Sequence, residues 1–131
     1  MTMTLIDWSA RISAIADALS VPDGGFSVNP NDGSDVRTGY AVAVHPEHER
    51  IYDGHVTSKD LHEYITQAKD ALSLPGRVLG GWRDPVTSRV YLDVSVVTME
   101  LSEAMTLARE TAQLAIFDFS AMTSVPVVAA A

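Results

Sequence analysis

The chain predicts an α+β fold: a two-layer sandwich in which a mostly antiparallel sheet of five or six strands carries three helices on one face. Three observations predict it. Apolar residues recur at helical spacing in three separate segments; alternating apolar runs lie between them; and glycine- or proline-bearing turns separate the two kinds of segment. At 131 residues and 47% hydrophobic, the chain has the length of one domain, a size that buries about 68% of its unfolded surface.

The first helix is expected over 4–19. Leu5, Trp8, Ile12, Ile15 and Leu19 form its stripe, Thr4 and Asp7 resemble a capping box, and Pro22-Asp23-Gly24-Gly25 ends it. Phe26 and Val28 then alternate with polar residues. After a polar loop, Tyr40, Val42 and Val44 alternate with alanines, and the two runs read as a hairpin. Pro46 stops the second strand, and 45–54 reads as a charged connection anchored by Ile51 and Tyr52.

Thr57 and Asp60 mark a second capping box before Leu61, Tyr64, Ile65, Ala68 and Leu72, and Leu74-Pro75-Gly76 stops that helix. The segment 79–97 is the clearest hairpin, with Pro85 suited to the second position of a type I turn. A third helix follows over about 100–112, with Leu101, Ala104, Met105 and Ala108 inward. Leu114 to Phe119 reads as a buried strand, Val125 to Val128 as an edge strand, and 129–131 as a frayed tail.

Gly24-Gly25-Phe26 and Gly80-Gly81-Trp82, Asn29-Pro30 and Asp84-Pro85, the return strands from Tyr40 and Tyr91, and the caps Val56-Thr57 and Val97-Thr98 occur in the same order. This argues for a duplicated β-β-α unit. The expected organisation is a single domain: an N-terminal helix over 1–22, units over 24–74 and 78–113, and C-terminal strands over 114–128. The glycine pairs have two readings, a close approach of backbone or ligand and a plain strand start.

Composition narrows function by exclusion. There are no cysteines, so disulfides, thiolate nucleophiles and cysteine-ligated metal sites are ruled out. The N-terminal residues lack a basic signal-peptide start, and no run reaches the ~18 apolar residues of a membrane span, so a soluble cytoplasmic protein is expected. Nine Lys plus Arg against seventeen Asp plus Glu give −8, which disfavours direct nucleic-acid binding and anionic membranes. No hydrolase, zinc-protease or phosphate-loop motif is present, so neither catalytic residues nor a cofactor are assigned. His45, Glu47, His48, Glu49, His55 and His62 supply metal-ligand types, but their spacing matches no zinc signature and no metal site is assigned.

The candidate ligand-binding residues lie mostly on the 79–97 hairpin. Trp82 and Tyr91 can stack a base, while Arg83 and Arg89 can pair with phosphate oxygens, as can Arg109 on the third helix. Asp93 and Asp118 interrupt apolar strands and could accept a ribose hydroxyl, or simply point outward. Aromatic core packing with exposed arginines is the competing account of the same residues.

The runs Gly24-Gly-Phe-Ser-Val, Leu79-Gly-Gly-Trp-Arg-Asp-Pro, Tyr91-Leu-Asp-Val-Ser and Gln113-Leu-Ala-Ile-Phe-Asp-Phe resemble a group of small proteins of actinobacterial phages and mobile elements. That group carries no assigned active site. The resemblance implies a setting of host-defence neutralisation or DNA transactions, and two functions are weighed within it, the second on the −8 charge. In the first, the protein is an oligomeric sponge for a small anionic, nucleotide-type signal, similar in size and class to the anti-Thoeris proteins. In the second, it is an acidic inhibitor or DNA mimic of a host protein, presenting Glu47, Glu49, Asp53, Asp60, Glu63 and Asp70. Edge strands and a half-covered sheet make a homo-oligomer the expected state.

Overall fold

A computed structural model describes residues 8–127. The first helix, α1, runs Ser9–Leu19, and the expected Thr4–Asp7 cap and Leu5 lie outside the described residues, as do Val128 and the tail. The strands are β1 (Gly25–Val28), β2 (Tyr40–Val42), β3 (Arg50–Asp53), β4 (Arg77–Arg83), β5 (Arg89–Thr98), β6 (Ala115–Asp118) and β7 (Thr123–Pro126). The remaining helices are α2 (Ser58–Gln67), α3 (Lys69–Leu72) and α4 (Leu101–Glu110). The fold is α+β, with a seven-stranded sheet in the order β1-β4-β5-β2-β6-β7, and with β3 also on β5. No described helix is long and apolar enough to cross a membrane.

The β4–β5 hairpin is the centre of the sheet because its length lets both long edges take partners. Its turn is built by Asp84, whose Oδ1 accepts the Val86 and Thr87 N–H groups, and Ser88 closes it at φ 63°. β1 pairs with β4, while β2 and β3 lie end to end along the other edge of β5.

The expected Phe26–Val44 hairpin therefore does not form: β1 and β2 flank β4–β5 from opposite sides. The polar loop between them is long enough to cross the pair. It first folds back on the outer edge of β1, where the Val36 N–H donates to Ser27 O, and then runs past Val78 and Val97, leaving a recess of about 280 Å³. Four further expectations change. Residues 50–53 form a strand rather than a connection; the second helix breaks at Ala68 into α2 and α3; the sheet has seven strands; and Leu101, the first residue of α4, is exposed.

The two Gly-Gly-aromatic runs face each other across the β1–β4 ladder, with Gly25 opposite Trp82 and Phe26 opposite Gly81. A Cβ on Gly81 would overlap the Phe26 ring and come 2.9 Å from Leu92 Cδ2. Each aromatic thus lies where the opposite strand has no side chain, which gives the similarity of the runs a packing cause.

Alternation divides the sheet into two faces. Val28, Leu79, Val90, Leu92 and Val94 join Ile12, Ile15, Leu19, Leu61, Ile65 and Leu72 in the larger core under α1 to α3. Val42 and Ile116 meet Ala104, Met105 and Ala108 of α4 in a smaller one. The register places both cores on the same face. The Thr57–Asp60 capping box forms as expected, with Asp60 N–H to Thr57 Oγ1 at 3.1 Å and Thr57 N–H to Asp60 Oδ2 at 3.0 Å.

Candidate functional site

The face away from the helices carries the residues of interest in two rows set by register. One row runs Gly25, Trp82, Tyr91, Ile51, and the next runs Ser27, Gly80, Asp93. Trp82 and Tyr91 are direct cross-strand partners. Their rings stack at 6.0 Å between centroids and 27° between planes. The Trp82 Nε1–H donates to Asp23 Oδ1 at 2.7 Å, which fixes the indole from the α1–β1 turn. Trp82 is 41% exposed and Ile51, on the other side of Tyr91, is 51% exposed, so an apolar ridge stands open on this side of the sheet.

Beside the ridge the floor drops, because Gly25 and Gly80 bring no side chain. The Asp93 carboxylate fills part of that space: a Cβ on Gly80 would lie 2.8 Å from Asp93 Oδ1. That oxygen accepts the Ser95 Oγ–H at 3.0 Å. Burial pushes the Asp93 carboxyl above the usual carboxylate range; the Ser95 hydrogen bond opposes this and the Glu49 charge adds to it. Arg89 stands on the same face, paired with Asp53 across the β3–β5 ladder at 3.1 Å.

Of the seven residues singled out from the sequence, four share this face: Trp82, Arg89, Tyr91 and Asp93. The other three lie elsewhere. Arg83 points to the helix side, where Nε donates to Leu19 O at 2.5 Å, Nη1 to Ser88 O at 2.7 Å and Nη2 to Gly54 O at 2.8 Å. It ties α1 and two turns to the hairpin. Arg109 lies in the last turn of α4, in the opposite layer. Asp118 ends β6, and its Oδ1 accepts the Ser120 and Ala121 N–H groups, so it shapes the β6–β7 turn. The guanidiniums expected to hold phosphate are therefore not gathered beside the aromatic pair.

The histidine-rich segment forms a separate cluster. His45 Nε2 accepts Arg77 Nε–H at 3.1 Å, which leaves the proton on Nδ1, 3.3 Å from Glu47 Oε2. Both ring nitrogens are thereby engaged. Among the described residues, no group of three or more His, Asp or Glu is gathered to hold a metal ion. Tyr64 donates its hydroxyl to His48 O at 2.6 Å, and burial pushes that phenol far above its usual range, so it stays protonated as a fastener of the same segment.

Sequence reasoning missed Asp23 and Ile51 as parts of the face. Asp23 carried only a turn signal and Ile51 only an apolar one, and both are joined to Trp82 and Tyr91 by tertiary pairing. Of the two readings of the glycine pairs, Gly80 takes the close approach, with Asp93 Oδ1 over it.

Comparison with family models, curated proteins and solved structures gives no match.

Proposed function

We propose that this protein is an acidic binding protein that captures a positively charged partner protein on the sheet face away from its helices, at the Trp82–Ile51 end that the 29–38 loop leaves exposed. The carrying observation is the exposed Trp82–Tyr91–Ile51 ridge with carboxylates around it: Asp23, Asp53, Asp93 and, by its charge on Asp93, Glu49. Aromatic side chains amid a polar rim are the composition of interface hot spots, and a net charge of −8 attracts a basic surface. The resemblance to phage and mobile-element proteins supplies the setting, in which the partner is a host protein and the role is inhibition.

A nucleotide-sequestering role draws support from the same aromatic stack but needs cations beside it. Arg89 is the guanidinium on this face, and it is already paired with Asp53. A second copy of the chain is the other competing occupant, and like charge on both faces opposes it.

The test is hydrogen exchange on the protein mixed with a 20-residue poly-lysine, with poly-glutamate as control. Protection confined to β3, β4 and β5, and lost in Trp82→Ala, supports the reading. Protection confined to the helices overturns it in favour of an acidic mimic surface on α2 and α3. Thermal stabilisation by cyclic nucleotides without protection by poly-lysine overturns it in favour of the sponge. Concentration-dependent protection of the ridge with no probe present overturns it in favour of a homo-oligomer.

A further inference from the structure

The geometry points to Asp93 as the anchor for a single primary ammonium group, a lysine side chain of the partner laid across Trp82 and Tyr91. This inference rests on the reading of the open face as a surface for a basic protein and names the group that the face selects.

Three observations carry it. The first is the state of the two carboxylate oxygens. Oδ1 is held by Ser95 Oγ–H at 3.0 Å and seated over Gly80, whereas Oδ2 receives no hydrogen bond from the described residues. One oxygen is held and one is unpartnered. An isolated carboxylate oxygen suits a compact ammonium, which acts as a point charge, better than a guanidinium, whose stronger two-pronged pairing uses both oxygens of one carboxylate.

The second is the neighbouring row. Tyr91 is two residues from Asp93 on the same strand and the same face, and Trp82 lies directly across from Tyr91. The stacked pair presents aromatic surface for about the length of a lysine stem, whose methylenes lie on apolar surface while the charged end reaches a polar partner. The third is the absence of a resident cation. Arg89 on this face is directed to Asp53, and the Arg83 guanidinium is spent on backbone carbonyls on the opposite side of the sheet. The desolvated Asp93 carboxyl therefore lacks a counter-ion within the face, and an incoming ammonium would supply one.

The test uses Nα-acetyl-lysine methylamide, its Nε-acetylated form and the arginine counterpart, each titrated into the intact protein while the Trp82 indole N–H resonance is followed by NMR. The lysine amide is expected to shift that resonance saturably and to bind more tightly than the arginine amide. The Nε-acetylated form is expected to leave the resonance in place. Asp93→Asn should weaken lysine-amide binding about tenfold or more, the worth of one charge-assisted hydrogen bond. Equal shifts from the acetylated compound, tighter binding of the arginine amide, or unchanged affinity in Asp93→Asn would overturn the assignment. If the Asn variant does not fold, a pH series on the intact protein takes its place: affinity must fall as the carboxyl protonates, and a flat profile overturns the assignment. Poly-lysine protection of β3 to β5 combined with failure here removes Asp93 as anchor and leaves the partner reading standing; failure of both probes removes both.

Discussion

Asp93 and Arg83 sit on the same hairpin, both partly buried, and their charges are met in opposite ways. The raised Asp93 carboxyl means that the folded chain holds this proton more tightly than the unfolded one. From the ordinary value near 3.8 up to the raised one, the native state binds more protons, so this group's contribution to stability falls as pH rises through that window. Asp93→Asn is expected to be more stable than the parent at pH 7 and to lose the advantage at pH 3, read from urea midpoints at the two pH values. Arg83 is the reverse case, a cation whose three nitrogens each donate to a carbonyl. Arg83→Met should cost about 2–3 kcal/mol in urea unfolding, and Arg83→Lys should recover only part, because an ammonium cannot span the three acceptors. The placement of Arg83 was legible in the sequence from the period of two: it follows Trp82 directly in a strand, and consecutive strand residues cannot share a face. Tyr91 and Asp93, two apart, were legible on one face for the same reason. Arg109 and Asp118 carried no comparable signal, since which layer they occupy depends on how distant segments dock.

The element that sequence periodicity reads best is α2, where Leu61, Tyr64 and Ile65, with Ala68 at the C-cap, are all buried behind a formed capping box. β3 escaped because its four residues place Ile51 and Tyr52 between the charged Arg50 and Asp53, so it has one apolar residue per face and its strand character comes from pairing with β5. The paired glycine motifs were visible, but their meaning is reciprocal packing between β1 and β4. Gly81→Ala, which drives a methyl into the Phe26 ring, should destabilise by about 1–3 kcal/mol. Combined with Phe26→Ala, the same substitution should cost much less than it does alone, and additive losses in a double-mutant cycle would refute the contact.

At the scale of the molecule, the helices share one face of the sheet but gather into two cores of unequal size. The larger, under α1 to α3, contains Leu79, Leu92 and Val94 of the central hairpin; the smaller rests on Val42, Met105 and Ile116. Native-state hydrogen exchange should therefore show α4, β6 and β7 opening in a sub-global step, with β4 and β5 protected until global unfolding. A single common opening energy across both cores would contradict this. Fold class was readable at this scale from the alternation of patterns, whereas strand order was not, because β1 and β2 each pair with residues far along the chain. The straddling of β4–β5 by β1 and β2 also sets a timetable for synthesis. When Val42 leaves the ribosome, neither strand has its partner, and β2 must wait for Thr98, about 56 residues later. At about 5–20 residues per second this is roughly 3 to 11 s for β2, and roughly 2 to 8 s for β1, whose partner residues end at Trp82, during which the unpaired strands are exposed to other nascent chains. The fold-back of residues 34–36 on the outer edge of β1, which needs nothing C-terminal to Val36, can form within that interval and shield one of them.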